Sequence, residues 1–110
     1  MTKYKAIKTT IDGITFDSKK EAKRYQELKI MEKAGVIDHL HLQPKFEILP
    51  KHKDIEGNTV RAVVYKADFH YFDLEQRIWI VEDVKGYKTP LYKLKKKLVE
   101  HKHKIKIVEI

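Results

Sequence analysis

Apolar and polar positions along this chain change rhythm in a readable order. Thr9–Phe16 is a short β-rich stretch with Asp12-Gly13 at its centre, the dipeptide of a tight hairpin turn. From Asp17 the spacing becomes helical, with Tyr25, Leu28 and Met31 on one stripe. Asp17 or Ser18 caps that helix, Ser18-x-x-Glu21 has the form of a capping box, and Gly35 supplies a C-terminal stop. His39–Leu49 alternates and ends at Pro50, so it reads as a strand. Pro44, which has no N–H to donate, puts that strand at an edge or a bulge. Lys51–Asn58 reads as a polar loop turning at Glu56-Gly57-Asn58.

Val60–Phe72 is a long β-rich run, and Asp73–Gln76 turns it into a strand over Arg77–Lys85. That strand carries Ile78 and Ile80 on one face and Trp79 and Val81 on the other, the pattern of a central strand covered on both sides. Gly86 breaks it. Thr89 then caps a second helix with Pro90 at its first position, and Leu91, Leu94 and Leu98 are expected to face the core. Lys104–Ile110 reads as a closing strand. Short turns make the first three main strands antiparallel, and the helical crossover makes the last parallel to Arg77–Lys85. The expected fold is α/β: an α-β-β-β-α-β core with a mixed four-stranded sheet flanked by helices, after a short N-terminal hairpin. Residues 1–8 are expected to form a flexible basic arm, and 9–110 a single domain.

Composition narrows the function classes. With 110 residues, 42% of them hydrophobic and 36% charged, the chain fits one folded domain and not a disordered tail. It has no cysteine, which excludes a disulfide scaffold, a thiol nucleophile and a cysteine-based zinc site. No apolar run is long enough to span a bilayer and no apolar signal segment opens the chain, so a cytoplasmic protein with no membrane partner is expected. The net charge of +8 is unevenly placed. Residues 1–84 hold 15 basic and 14 acidic side chains, whereas 85–110 hold nine lysines against Glu100 and Glu109. A concentrated cationic face attracts polyanions through counterion release, and nucleic acid is the usual one. A well-solvated lysine-rich helix is the plainer account.

The candidate chemistry lies in Asp68, Asp83 and Lys85. An acid two residues before a lysine occurs five times here, so the short motif alone says little. Four of the five lie in or at the ends of helical segments, where residues two apart diverge. Asp83-Val84-Lys85 lies on a strand, where they share a face, and it sits beside Gly86 at the strand's open end. Across the turn, a residue opposite Asp68 falls near position 81 or 82, so Asp68 and Asp83 come within reach of each other. Paired carboxylates suit Mg²⁺, with Mn²⁺ as its substitute. Beside such a metal, Lys85 would orient or help deprotonate a water, or offset charge in the transition state. A cross-strand salt bridge to Lys85 explains the same residues without catalysis. Glu21 faces inward from the first helix as a further acid, or serves only as the capping partner of Ser18. Glu82 points away from Asp83 and stands as a reserve ligand should a bulge shift the strand.

These residues and their order resemble the PD-(D/E)XK nuclease superfamily, whose core is restriction-endonuclease-like. The strings Phe16-Asp17-Ser18-Lys19-Lys20-Glu21-Ala22, Tyr65-Lys66-Ala67-Asp68-Phe69 and Val81-Glu82-Asp83-Val84-Lys85-Gly86 are similar to a family of small phage and prophage proteins known as domain of unknown function 1064. They are also similar to nuclease subunits of heteromeric transposons. The resemblance covers about Lys3 to Ile110. It implies that Asp68 and Asp83 are metal ligands, that Lys85 is the catalytic lysine and that Glu21 is the helix-borne acid. Gln43 matches a recurrent glutamine of unassigned role. Ala67 stands where the superfamily name has proline, and Asp83 is the shorter of the two permitted acids, which keeps Glu82 in play.

The implied function is Mg²⁺-dependent endonucleolytic cleavage of DNA in a bacterial host cell. The small size favours recognition of DNA shape, ends or branches, and a homodimer would let two sites address two strands. Arg61, Lys66, Lys88, Lys93 and Lys96 are the cations expected near a DNA backbone. Tyr87 and Tyr92 could contact sugar or base, although helix-face packing explains Tyr92 as well; His70 could contact phosphate or water, and half-exposed filler is its plainer account. His39-x-His41 and His101-x-His103 lack a third ligand at obvious spacing. Two other functions stay open: a non-catalytic nucleic-acid-binding module of the same fold, and a small interaction protein whose basic helix docks on an acidic partner.

Overall fold

A computed structural model of the chain describes residues 7–84 and 88–110. The expected hairpin pairs β1 (Thr9–Ile11) with β2 (Ile14–Phe16). Asp12 and Gly13 both take positive φ, 53° and 74°, as a tight two-residue turn requires. Helix α1 (Lys19–Lys33) begins at Ser18, whose Oγ accepts the Glu21 N–H at 3.1 Å. Its inner face buries Glu21, Ala22, Tyr25 and Leu28, with Met31 partly buried behind them.

Nine further elements follow: β3 (Ile37–Leu42), β4 (Lys45–Leu49), β5 (His52–Lys53), β6 (Thr59–Val60), β7 (Val63–Lys66), β8 (Phe69–Asp73), β9 (Ile78–Asp83), α2 (Pro90–His103) and β10 (Lys106–Glu109). The fold is mixed α/β, and its main sheet has four strands in the order β10-β9-β8-β3. As expected, β3, β8 and β9 run antiparallel, and β10, arriving after α2, is parallel to β9.

The two long strands are each broken. His39–Leu49 splits, with β3 in the main sheet and β4 paired to β7 in a separate two-stranded sheet; Val60–Phe72 splits likewise between β7 and β8. The cause is local. Pro44 offers no ladder N–H, and Gln43 takes a positive φ of 51°. The two breaks are kept in step because the Gln43 N–H donates to Asp68 O at 2.9 Å and the Ala67 N–H to Pro44 O at 3.0 Å. Lys51–Asn58 is not wholly loop, since β5 pairs with β6 across a turn in which Asp54 Oδ1 accepts the N–H groups of Glu56 and Asn58. Arg77, with a φ of 59°, belongs to the turn and not to the strand.

The main sheet separates two apolar clusters. Tyr25, Leu28, Ile37, Phe69, Tyr71 and Ile80 pack with α1; Tyr65, Ala67, Val81, Val99 and Ile107 pack with α2. Adjacent residues of β9 thus enter different cores, as its alternation predicts, although Ile78 and Trp79 at its start stay exposed. Helix α2 is rolled from its expected orientation. It buries Tyr92 and Val99, and Leu91, Leu94 and Leu98 face solvent. The roll lets Lys95 and Lys102 donate to the Val64 and Ile48 carbonyls at 3.3 and 3.1 Å. Among the described residues no helix is long and apolar enough to cross a membrane.

Glu82, 1% exposed, is the most consequential buried charge on the α1 side. Arg24 grips it with two hydrogen bonds, Nε to Oε1 at 2.7 Å and Nη2 to Oε2 at 2.6 Å, and the Tyr71 hydroxyl donates to Oε2 at 2.5 Å. A forked guanidinium is the strongest partner available to a carboxylate, and removing it strands a charge out of water. Arg24→Met is therefore expected to destabilise the protein by about 3–5 kcal/mol in urea unfolding. Combining it with Glu82→Gln, which removes the charge and keeps an acceptor for Tyr71, should recover more than half of that loss.

Candidate functional site

In the β8–β9 ladder Phe69 lies opposite Glu82 and His70 opposite Val81. The ladder ends there, and the Asp68 N–H donates to Glu82 O at 3.1 Å, which sets Asp68 against the Glu82–Asp83 end of β9. That contact falls at the position, 81 or 82, that the sequence predicts opposite Asp68, with Asp83 one residue further. The Asp68 and Asp83 carboxyls come within hydrogen-bonding reach of each other at that end of the main sheet.

Asp68 occupies the break between β7 and β8, and its backbone is tied to strands on both sides. Its N–H donates to Glu82 O at 3.1 Å and its carbonyl accepts from Gln43 N–H. Its side chain turns inward, Oδ2 accepting the Val84 N–H at 2.6 Å. Asp83, 1% exposed, accepts through Oδ2 from the Tyr65 hydroxyl. Glu21 reaches the same region from the first turn of α1.

The electrostatics record this gathering. Burial pushes the Asp68 carboxyl up to about 7; the Val84 N–H opposes the rise, while the charges of Glu21 and Asp83 and a hydrogen bond with Asp83 add to it. Glu21 is also raised, first by burial and then by Asp17 and Asp83, with Lys66 pulling it down. Burial holds Tyr65 well above the usual phenol range, so it remains a hydrogen-bond donor to Asp83.

A polar chain leads from the acids towards α2. The Tyr65 and Tyr92 rings lie 6.2 Å apart, and the Tyr92 hydroxyl donates to Glu109 Oε2 at 2.8 Å. Glu109 in turn bridges to Lys88 at 3.1 Å and Lys96 at 3.8 Å. Those bonds, Tyr92 first and Lys88 next, lower its carboxyl below the ordinary value. Sequence reasoning passed over Glu109, although the parallel register sets it opposite Asp83. A parallel last strand already implies that its C-terminal acid ends beside that of β9.

The other expected residues divide clearly. Glu82, the reserve ligand, is turned to α1 and engaged by Arg24 and Tyr71, so it does not join the acid pair. Lys85 and Tyr87 lie outside the described residues. Lys88, Lys93 and Lys96 line one groove of about 550 Å³ together with Lys97, Glu100 and Glu109. Lys66 lines a separate cleft of about 210 Å³ with Tyr65, Tyr92 and Lys95. Arg61 is exposed between β6 and β7 and lines neither. His70 packs against Trp79 and Phe46 at 5.0 and 5.4 Å, and its buried Nε2 has no hydrogen-bond partner among the described residues. Burial, then His41, lowers its pKa, so it favours the neutral ring.

A family model described as Protein of unknown function (DUF1064) matches residues 1–109. The chain belongs to that family. No curated protein and no solved structure matches it.

The donor chemistry of this DUF1064 site fits a hard cation. Its groups are carboxylate oxygens, whereas zinc sites draw on cysteine and histidine. Among the described residues no three histidine or acidic side chains form a ready metal cage. Mg²⁺ needs none, because it takes one or two carboxylates and fills its octahedron with water and phosphate oxygens.

The raised Asp68 has a thermodynamic signature. Its folded value, about 7, exceeds the ordinary 3.8, so the native state binds more protons than the unfolded chain between those values. Its effect on stability is most favourable below about pH 4 and worsens as pH rises through 7. Asp68→Asn, which keeps an acceptor for Val84, should raise Tm at pH 8 in chelator by roughly 4–8 °C, corresponding to about 1 kcal/mol after solvent screening. Melts of both proteins should converge towards pH 4.

Proposed function

We propose that this DUF1064 protein is a metal-dependent DNA endonuclease with a restriction-endonuclease-like core. The observation that carries the reading is the convergence of the Asp68 and Asp83 carboxyls at the end of β8 and β9, with Glu21 beside them. The element order α1-β3-β8-β9-α2-β10 supports it, since that order and those acid positions are what the PD-(D/E)XK resemblance implies. On the same resemblance the protein is of phage or prophage origin and works in the cytoplasm of a bacterial host.

Asp68 and Asp83 would hold Mg²⁺ or Mn²⁺, and Glu21 would orient a water from the helix side. A bound divalent cation supplies Lewis-acid activation of the scissile phosphate and a more acidic water. Lys85, two residues after Asp83 in sequence, provides a cation that offsets charge on the phosphate or assists removal of the water's proton. Tyr65 keeps the Asp83 carboxylate oriented through its hydroxyl. Lys88, Lys93 and Lys96, together in one groove, hold the phosphate backbone leading to the acids, while Lys66 lies nearer Glu21. Backbone contacts of this kind position DNA without reading its sequence.

The alternative is a DNA-binding module that retains the fold without cleaving, and the lysine groove would serve it equally well. One experiment separates them. Plasmid and branched DNA are incubated with Mg²⁺, with Mn²⁺ and with chelator, using wild type, Asp83→Ala and Lys85→Ala. The expected result is metal-dependent cleavage that falls at least about 100-fold in both variants. Cleavage surviving both substitutions would remove this site. Salt-sensitive binding without cleavage by any of the three would establish the module instead. In either case Lys88→Ala and Lys96→Ala should each reduce the slope of log K against log salt by about 1.

A further inference from the structure

Helix α2 presents a second surface, a line of leucines that belongs neither to the acids nor to the lysine groove, although Lys97 borders both. Leu91, Leu94 and Leu98 are 61%, 54% and 43% exposed. Their spacing of three and then four residues sets them along one line, which is the a/d seam of a helix that pairs with another helix. Exposed leucines are ordinary singly, but three in register on one helix form a contiguous apolar patch. At the N-terminal end, Leu91 shares the 210 Å³ cleft with the exposed Val64 of β7, a recess for an incoming apolar side chain.

The shoulders of the seam are all basic. Lys95 and Lys102 flank it on one side and Lys97 on the other, at the e and g positions that choose a coiled-coil partner. The carbonyls of Val64 and Ile48 hold the first two ammonium groups in place and leave their charge intact. Glu100, the single acid of α2, is turned away to accept the Ile107 N–H at 3.1 Å.

That charge pattern selects the occupant. A second copy of α2, parallel or antiparallel, would set lysine against lysine along the whole seam. Nucleic acid would satisfy the lysines and give the leucines nothing. A bilayer calls for a broad apolar face, and this one is a narrow line. We infer that α2 is a docking helix for an acidic amphipathic helix of a partner protein, with apolar residues in its seam and Glu or Asp on its shoulders. This inference does not rest on the nuclease reading.

The test uses the full chain and three labelled synthetic helical peptides in anisotropy titrations at physiological salt. The first has leucine at every a and d position and glutamate at every e and g. The second replaces those glutamates with lysine, and the third keeps the glutamates and replaces the leucines with serine. The first peptide should bind at least about tenfold more tightly than either of the others. Leu94→Ser combined with Leu98→Ser should weaken it by a similar factor in a protein whose circular dichroism is unchanged. Reversing Lys95, Lys97 and Lys102 to glutamate should transfer the preference to the lysine peptide. Equal binding of the leucine and serine peptides would overturn the proposal, leaving plain polyanion attraction. So would a wild-type dimer in light scattering that the leucine variants dissociate, or a loss of binding to phosphatidylserine vesicles with peptide binding unaffected.

Discussion

The Arg24 guanidinium closed on Glu82 sets the frame on which the acid-bearing end of the sheet depends. It fixes one point of α1 against the central strand, at a residue whose carbonyl also receives the Asp68 N–H. Strand alternation does the rest. With Glu82 committed to the α1 side, its neighbour Asp83 must point to the other, into the cluster around Tyr65 and Val81. Glu21 lies one helical turn before Arg24, so the same anchor carries it to the edge where Asp68 and Asp83 meet. A buried ion pair contributes little net stability compared with an apolar substitute, but it discriminates sharply between registers. Sliding β9 by one residue would bury Asp83 against α1 and leave Arg24 without its partner.

Much of this was legible in the amino-acid pattern, because the governing signals are local. The Ser18 cap, the Asp12-Gly13 hairpin, the alternation of β9 and the parallel placement of β10 all follow from a few adjacent residues and from chain connectivity. So did the convergence of Asp68 and Asp83, to within a residue or two. What was not legible depends on partners distant in sequence. Pro44 signalled an irregularity, but that β4 would leave the sheet altogether depends on Ala67 meeting it from across the hairpin. The roll of α2 is the larger lesson. Three leucines at helical spacing outrank one tyrosine and one valine by hydrophobicity, yet Tyr92 and Val99 are the residues that fit between β7, β10 and Asp83. Arg24 gave no signal at all, since nothing in its neighbours predicts a partner 58 positions away.

The same helix carries three kinds of surface. Its inner face supplies Tyr92 to the hydrogen-bond chain from Glu109, one flank lines the lysine groove, and the outer face exposes leucine. The +8 of the chain is therefore more structured than a total suggests. Glu109 neutralises part of it at Lys88 and Lys96, on the strand end that adjoins Asp83, whereas Lys95, Lys97 and Lys102 form no ion pair among the described residues.

The paired breaks at Gln43-Pro44 and Ala67-Asp68 have a mechanical meaning. They turn what would be one long hairpin into two hydrogen-bonded pieces, one belonging to the main sheet and one, β4 with β7, cradling α2. Asp68 stands at the joint between the pieces, held by Gln43 on one side and by Val84 on the other. A load applied to the β4–β7 piece reaches the main sheet through that joint and through α2, which Tyr92–Glu109 and Glu100–Ile107 tie to β10. The acid at the pivot is thus bonded to both pieces at once, and it moves only when they move together.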